Sequence, residues 1–186
     1  MMYKAIISRI VELIRSPRMA WIRIEEENQP VKEIQNRFFY PLVLVVTAGT
    51  IIGAFWEAKD FILEQMLKKT IITLTFAFVG YFISVIVLNE IIVSRLFNME
   101  RQYAACVRII AYSSSIMLCV GTVVAIFSDW FILYVLNVYT AYVIWEGSGI
   151  IFKGLEESRK GVFTAICLVL LYAPYLIGKL MYMMMK

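Results

Sequence analysis

The sequence predicts an all-α, polytopic integral membrane protein with five transmembrane helices preceded by an N-terminal amphipathic interfacial helix. Three observations predict this fold class. Hydrophobic residues make up 61% of the 186 residues and charged residues only 17%, whereas soluble domains average about 25% charged residues. The chain contains five apolar runs, each close to the roughly 20 residues that a helix needs to cross a bilayer. The first 16 residues repeat apolar positions at helical spacing.

The N-terminal stretch MMYKAIISRIVELIRS predicts an amphipathic helix that ends before Pro17. Polar and basic residues such as Lys4, Arg9 and Arg15 occupy the face opposite the apolar one. The apolar positions are Tyr3, Ile6, Ile7, Ile10, Val11 and Ile14. A basic polar face suits the cytoplasmic membrane surface. Docking on the transmembrane bundle is the alternative.

The five predicted spans cover residues 38–56, 70–93, 104–127, 130–152 and 161–183. Short loops join them, so consecutive helices should pack as antiparallel neighbours. Gly49 and Gly53 match the small-xxx-small pattern, which we interpret as helix packing within the chain. No linker divides the sequence. We therefore expect a cytoplasmic amphipathic segment, 1–37, and a five-helix transmembrane domain, 38–186.

Positive charges predict the orientation, because Lys and Arg concentrate in the cytoplasmic loops of membrane proteins. One side of the predicted spans carries thirteen Lys and Arg residues and the other side five. Leaving out Arg108, which lies within a span, gives twelve against five. We expect a protein of the cell inner membrane with its N-terminus in the cytoplasm and its C-terminus outside.

Several classes of function lack the residues they need. The chain has no histidine, and Cys106, Cys119 and Cys167 lie far apart in apolar runs, which is neither a disulfide framework nor a metal-ligand pattern. No serine or cysteine nucleophile has an evident base beside it. A net charge of +4 is too small and scattered for nucleic-acid binding. We expect no catalytic residue, no cofactor, no metal and no nucleic-acid partner.

Three charged residues within the spans form a candidate polar cluster. Glu90, Arg108 and Glu146 lie on three successive spans at a similar depth near the predicted cytoplasmic side. Each would cost about 2.5–3.5 kcal/mol at a helix centre, so we expect them to face the bundle interior. The neighbouring polar residues assigned to this cluster are Asn89, Tyr112 and Tyr142.

Three interpretations of this cluster stay open. Arg108 could form a structural ion pair with Glu90 or Glu146 that fixes the register of the helices. A carboxylate left over from such a pair could serve proton or cation movement. The side chains could also reach the membrane interface without any partner.

Four stretches of the sequence resemble the bacterial branch of the Yip (Ypt/Rab-interacting protein) family. They are RIVELIRSPRMAWIRIEEE, then FFYPL at the first span, RIIAYSSS in the third and LYVLNVYTAYVIWEG in the fourth. The residues that carry the resemblance are Ser16, Pro17, Trp21, Ile24, Glu25, Pro41, Leu42, Tyr112, Ser113 and Gly147. The chain departs from the pattern in two places: the third-span motif lacks its usual proline, and Phe97-Asn98 stands where Phe-Gly is common.

The resemblance implies a five-helix membrane domain with a cytoplasmic N-terminus and no known substrate, cofactor or catalytic residue. For eukaryotic members it also implies binding of Rab-type GTPases in vesicle traffic, which transfers poorly to a chain with almost no soluble N-terminal extension. We expect a non-enzymatic protein that organises the membrane or partner proteins from its cytoplasmic face. Its partners would be the lipid bilayer and a protein at that face, and a homo-oligomer stays open. The alternatives are proton or small-ion transport through the Glu90, Arg108 and Glu146 level, and, third, an intramembrane enzyme.

Overall fold

The computed structural model describes residues 2–57 and 63–185, which are helical almost throughout. Within these residues the α-helices are α1 (Met2–Arg15), α2 (Pro17–Glu27), α3 (Val31–Ile34), α4 (Tyr40–Glu57), α5 (Leu63–Val87), α6 (Tyr103–Ile126), α7 (Tyr139–Ile151) and α8 (Lys160–Met184). Two π-helical segments, Gln35–Phe39 and Leu88–Leu96, join α3 to α4 and extend α5. Two 3₁₀ segments, Ser128–Val138 and Glu157–Arg159, precede α7 and α8.

Among the described residues, four helices are long and apolar enough to cross a membrane, not five. They are Val31–Trp56, Leu63–Leu96, Tyr103–Ile126 and Glu157–Met184. These helices contain the first, second and fifth predicted spans and match the third to within one residue, so the prediction of helices of spanning length is confirmed for those four.

The prediction of a single fourth helix over residues 130–152 is wrong. The chain there forms the 3₁₀ segment Ser128–Val138, which is bent at Trp130 (φ −88°, ψ 28°), and then α7. With 13 residues, α7 is about 20 Å long, which is shorter than the roughly 30 Å hydrocarbon core of a bilayer. Aromatic and β-branched residues lose side-chain freedom in an α-helix, and they are frequent in this run. Apolarity alone therefore gave the length of the run but not its helix type.

The segment 128–151 nevertheless runs alongside α8 in the opposite direction. The hydroxyl groups of Tyr134 and Tyr175 are 2.7 Å apart, and Thr140 Oγ1 lies 3.0 Å from the hydroxyl of Tyr172. The segment also packs against α6. It thus occupies the position in the bundle that the predicted fourth span would have, although it is not one continuous α-helix.

α6 forms the centre of the bundle. Its residues 105–116 are buried without interruption, and it packs against α4, α5 and α7. Close contact with α4 depends on small residues, because a Cβ atom on Gly53 would overlap the backbone carbonyl group of Ala125. Gly49 faces Thr122 one turn away. The two glycines therefore pack helices within the chain, as their spacing predicted.

The N-terminal helices α1 and α2 pack on one end of the bundle, against α6 and α7. We call this the N-terminal end, and the end at which α4 finishes and α5 starts the opposite end. On α1, the side chains of Ile6, Ile10 and Leu13 are buried. The exposed apolar side chains of α1 are those of Tyr3, Ile7, Val11 and Ile14, and we call them the outer face of α1.

Candidate functional site

Trp21 on α2 lies at the centre of the contact between the N-terminal helices and the bundle. Its side chain is fully buried, and its indole N–H donates a hydrogen bond to the backbone carbonyl of Val143, 2.8 Å away on α7. A buried indole needs such a partner, so this bond fixes the position of the ring. Ser16 precedes α2 and Pro17 occupies its first turn, where a proline costs no helical hydrogen bond.

Tyr112 and Gly147 complete the pocket around Trp21. The ring of Tyr112 on α6 packs edge-on against the indole, with centroids 6.1 Å apart and an interplanar angle of 87°. Gly147 on α7 has no room for a larger side chain, because a Cβ atom there would lie 2.7 Å from the indole nitrogen and 2.8 Å from Cδ1 of Ile109. Glycine at position 147 therefore allows the indole to enter between α6 and α7.

Arg108 on α6 forms a charged contact with α2. Its guanidinium group donates a hydrogen bond to Oε2 of Glu25 at 2.8 Å and a second one to the side-chain oxygen of Asn28. Asn28 caps the C-terminal end of α2 with a left-handed backbone conformation (φ 41°). A cation at the C-terminus of a helix is favoured by the helix dipole, so both the ion pair and the dipole hold Arg108 in place.

These five residues form what we call the Trp21 cluster: Trp21, Glu25, Arg108, Tyr112 and Gly147. Four of them are family-motif residues that the sequence resemblance picked out on α2, α6 and α7. The structure brings them into one contact, although they are up to 126 residues apart in the chain.

The predicted ion pair of Arg108 with Glu90 or Glu146 is not the one found. Arg108 pairs with Glu25, whereas Glu90 pairs with Arg101 at 3.0 Å and accepts a hydrogen bond from Asn89 at 2.8 Å. The prediction failed because it considered only charges within the spans. Glu25 lies outside them in sequence, but the N-terminal segment folds back onto the bundle and brings Glu25 to Arg108.

The remaining members of the predicted cluster lie on α7. Glu146 is partly exposed, and Tyr142 is 48% exposed with its ring next to that of Tyr139. The six predicted residues are thus divided between the Arg108 contact, the Glu90–Arg101 contact and the surface of α7. A functional role for any of them stays a prediction.

A network of charges joins α1 to α2 beside the Trp21 cluster. Arg9 pairs with Glu12 at 3.2 Å and also with Glu27, while Arg23 pairs with Glu12. Gln29 donates to Glu27 at 2.9 Å. Ion pairs near the surface contribute little stability one by one. Two of these pairs, Arg9 with Glu27 and Arg23 with Glu12, link the two N-terminal helices.

Pro41 and Ser113, two further family-motif residues, lie apart from these contacts. Pro41 is buried and is the second residue of α4, which follows the π-helical segment Gln35–Phe39. A proline cannot donate the usual backbone hydrogen bond, and a π-helical turn is a common adjustment next to such a position. Ser113 is fully buried in α6, and its hydroxyl has no hydrogen-bond partner among the described residues.

Sequence reasoning missed Asn28 and Gln29, the polar residues at the end of α2. The signal was present: an acidic run, Glu25 to Glu27, is followed by Asn-Gln-Pro, which is typical of a helix end. Within the described residues, no group of three His, Cys, Asp or Glu side chains is placed to hold a metal ion. The chemistry of the Trp21 cluster is that of a tightly packed, ion-paired helix contact.

Comparison with known families agrees with the arrangement. The model of the Yip1 domain matches residues 11–178, from within α1 to within α8, and includes the whole Trp21 cluster. No curated protein and no solved structure matches the chain. Because the Yip1 model covers most of the sequence, this chain belongs to the Yip family of membrane proteins.

Proposed function

We propose that this protein is not an enzyme and that it organises the membrane or a partner protein from its cytoplasmic face, with α1 as the contact surface. Members of the Yip family are generally non-enzymatic membrane proteins. The observation that carries the proposal is the division of α1 into two apolar faces. Ile6, Ile10 and Leu13 are at most 8% exposed, whereas the residues of the outer face are 38–63% exposed.

The outer face of α1 is not needed to attach the helix to the bundle. The buried face and the ion pair of Arg9 with Glu27 on α2 already do so. A contiguous apolar face left outside after docking is typical of a surface that meets lipid or another protein. Because α1 is held in a fixed orientation, the outer face is presented without the ordering cost that a free peptide would have.

The neighbourhood of the outer face favours lipid as its first contact. Tyr3 shares a shallow crevice with Pro41, Leu44 and Val45 near the start of α4. Leu44 is 62% exposed on a helix of membrane-spanning length, so the surface of α4 there should face the acyl chains. The outer face of α1 continues that apolar surface at the level where α4 starts. Exposed basic residues on α1, Lys4 and Arg15, suit anionic headgroups.

We further propose that the N-terminal end of the bundle faces the cytoplasm of the cell and that the membrane is the inner membrane. The excess of Lys and Arg on that side supports the orientation. The resemblance to the bacterial branch of the family supports the choice of membrane. In this arrangement α8 ends on the outer side.

Transport of protons or small ions is the second candidate, and it has less support. Such transport would need a continuous polar path through the bundle. Three residues were predicted to provide it. Glu90 and Arg108 take part in two different ion pairs, with Arg101 and Glu25, and Glu146 is partly exposed on α7. Ion flux in proteoliposomes that disappears with Glu90→Gln would reverse this order of the two candidates.

The organising role is tested with the full chain in vesicles of phosphatidylethanolamine and phosphatidylglycerol. An environment-sensitive dye is attached at Ile7→Cys on the outer face or, as a matched control, at the exposed loop position Glu100→Cys. We expect nitroxide groups at headgroup depth to quench the dye at position 7 much more than at position 100.

Contact with a partner protein is tested in cells by placing a photo-crosslinking amino acid at position 7. Quenching without crosslinks to proteins supports the lipid surface, and crosslinks without quenching support a partner protein. If position 7 gives neither, the organising role of this face is overturned.

A further inference from the structure

A cavity of about 360 Å³ lies between α4, α5, α6, α8 and the 3₁₀ segment Ser128–Val138. This volume is within the roughly 300–1,000 Å³ typical of small-molecule sites. The cavity is partly open rather than sealed, and it does not include the Trp21 cluster. Its walls belong mainly to helices of membrane-spanning length, so the molecules that surround it in a cell are lipids.

The lining of the cavity is amphiphilic. Most of it is apolar, with side chains such as Phe76, Met117 and Leu171. Lys179 also lines it. The cavity therefore combines a long apolar wall with a positively charged side chain.

Tyrosines organise the charged part of the cavity. The ammonium group of Lys179 lies 5.4 Å from the ring centre of Tyr134, within the range of a cation–π contact. Tyr134 is hydrogen-bonded to Tyr175 at 2.7 Å, and all three side chains line the cavity. Lys179 is thus held beside the cavity while its side chain stays exposed.

We propose that this cavity binds one anionic phospholipid, with an acyl chain along the apolar wall and the phosphate group at Lys179. A neutral lipid would fill the apolar volume but bring no net charge for Lys179 to attract. A free phosphate ion would meet Lys179 but leave the apolar wall without contact. An anionic amphiphile satisfies both parts of the lining.

Gly121 on α6 offers a way to close the cavity with little strain. A Cβ atom there would have Cγ2 of Val46 as its nearest neighbour at 3.6 Å, an ordinary van der Waals distance. Gly178, which also lines the cavity, is different, because a Cβ atom there would lie 2.9 Å from the ring of Phe76. Gly121→Leu should therefore place its side chain in the cavity without displacing a helix.

The test is retention of lipid by the full chain, measured by native mass spectrometry from a mild detergent. The protein is offered phosphatidylglycerol and phosphatidylcholine with identical acyl chains. We expect preferential retention of one phosphatidylglycerol. Lys179→Gln should reduce that preference about fivefold, since a basic residue near an anionic headgroup contributes about 1 kcal/mol. Gly121→Leu should reduce retention of both lipids. Lys153→Gln, at an exposed lysine outside the cavity, should change neither.

Equal retention of both lipids by the wild-type protein would overturn the proposal. Displacement of phosphatidylglycerol by inorganic phosphate alone would also overturn it. If Gly121→Leu fails to fold, photolabelling of the wild-type protein tests the site instead. Phosphatidylglycerol with a photoreactive group in its acyl chain should form adducts on Met117 or Leu118 in the cavity wall. Adducts found solely on outward positions such as Val79 and Val169 would reduce the contact to ordinary bilayer lipid and refute the site.

Discussion

The two ends of the helix bundle solve the same packing problem in different ways. At the N-terminal end, α2 fills the space beside α6 and α7, and Trp21 and Arg108 close it with a buried indole and an ion pair. From the middle of the bundle towards the opposite end, α4, α5, α6 and α8 leave a cavity of about 360 Å³ among the described residues. The contrast teaches that the N-terminal segment closes the end of the bundle on which it packs.

The two ends also treat charge differently. Arg108 is buried and has Glu25 and Asn28 as partners, which is what a charge removed from water requires. Lys179 stays exposed and lies over an aromatic ring. The first arrangement is suited to holding helices together, whereas the second is open to a ligand. The comparison predicts that substitutions at the N-terminal end cost stability and that those at the opposite end change binding.

The largest effect concerns which end faces which compartment. A reporter that fluoresces only in the cytoplasm should be bright when fused to the N-terminus at Met1 and dark when fused to the C-terminus at Lys186. The physical reason is the excess of Lys and Arg on the N-terminal side. Two equally bright fusions would mean that segment 128–151 does not carry the chain across the membrane, and the placement of the C-terminus on the outer side would then be wrong.

Removing the indole at the N-terminal end should cost about 3–5 kcal/mol, as is typical for Trp→Ala at a fully buried site. Trp21→Ala leaves a cavity between α6 and α7 and deletes the hydrogen bond to the carbonyl of Val143. Trp130→Ala is the matched control, since Trp130 is 54% exposed and contacts Phe127. The loss there should be about 1 kcal/mol, the value of one aromatic pair. Thermal unfolding in detergent measures both, and equal losses would contradict the difference between the two ends.

The ion pair of Arg108 with Glu25 at the N-terminal end should have the next largest effect on stability. Arg108→Ala should destabilise the protein by about 2–3 kcal/mol, less than the roughly 3–5 kcal/mol of a fully buried pair because the side chain of Glu25 is 28% exposed. Adding Glu25→Gln should recover part of that loss, because the carboxylate no longer lacks its partner.

Glu90→Gln is the matched control for this cycle. Glu90 pairs with Arg101 rather than Arg108, so its substitution should add to Arg108→Ala without coupling. Coupling to Glu90 and none to Glu25 would restore one of the two pairings that the sequence predicted and refute the one in the structure.

The sequence predicted most of the fold for a simple physical reason. A span of about 20 apolar residues has few alternatives to a membrane helix, so four of the spans were found from hydrophobicity alone. The fourth predicted span failed because hydrophobicity does not distinguish an α-helix from the 3₁₀ segment Ser128–Val138 followed by α7.

The candidate sites were harder to predict than the fold. The family resemblance identified Trp21, Glu25, Tyr112 and Gly147, but it could not show that they touch. The depth of Arg108 along its span suggested charged partners on the neighbouring spans. Glu25 was not considered as a partner because it lies in the N-terminal segment. The cavity gave no signal at all, because it depends on the distances between five elements and not on a local pattern.

The smallest effects come from making one substitution at both ends, Gly147→Ala and Gly121→Ala. At the N-terminal end the added methyl group would press on Trp21 and Ile109, and overpacking of this kind costs about 1–3 kcal/mol. At the opposite end the methyl group added at position 121 would reach Val46 at 3.6 Å without a clash. Gly121→Ala should therefore stabilise the protein, because alanine in a helix is more stable than glycine by about 0.5–1 kcal/mol. Thermal unfolding of the two variants, which differ from the wild type by the same single methyl group, therefore reads the packing at each end directly. A loss of stability for both would mean that the cavity near Gly121 is already closed, and the lipid site would have no room for its acyl chain.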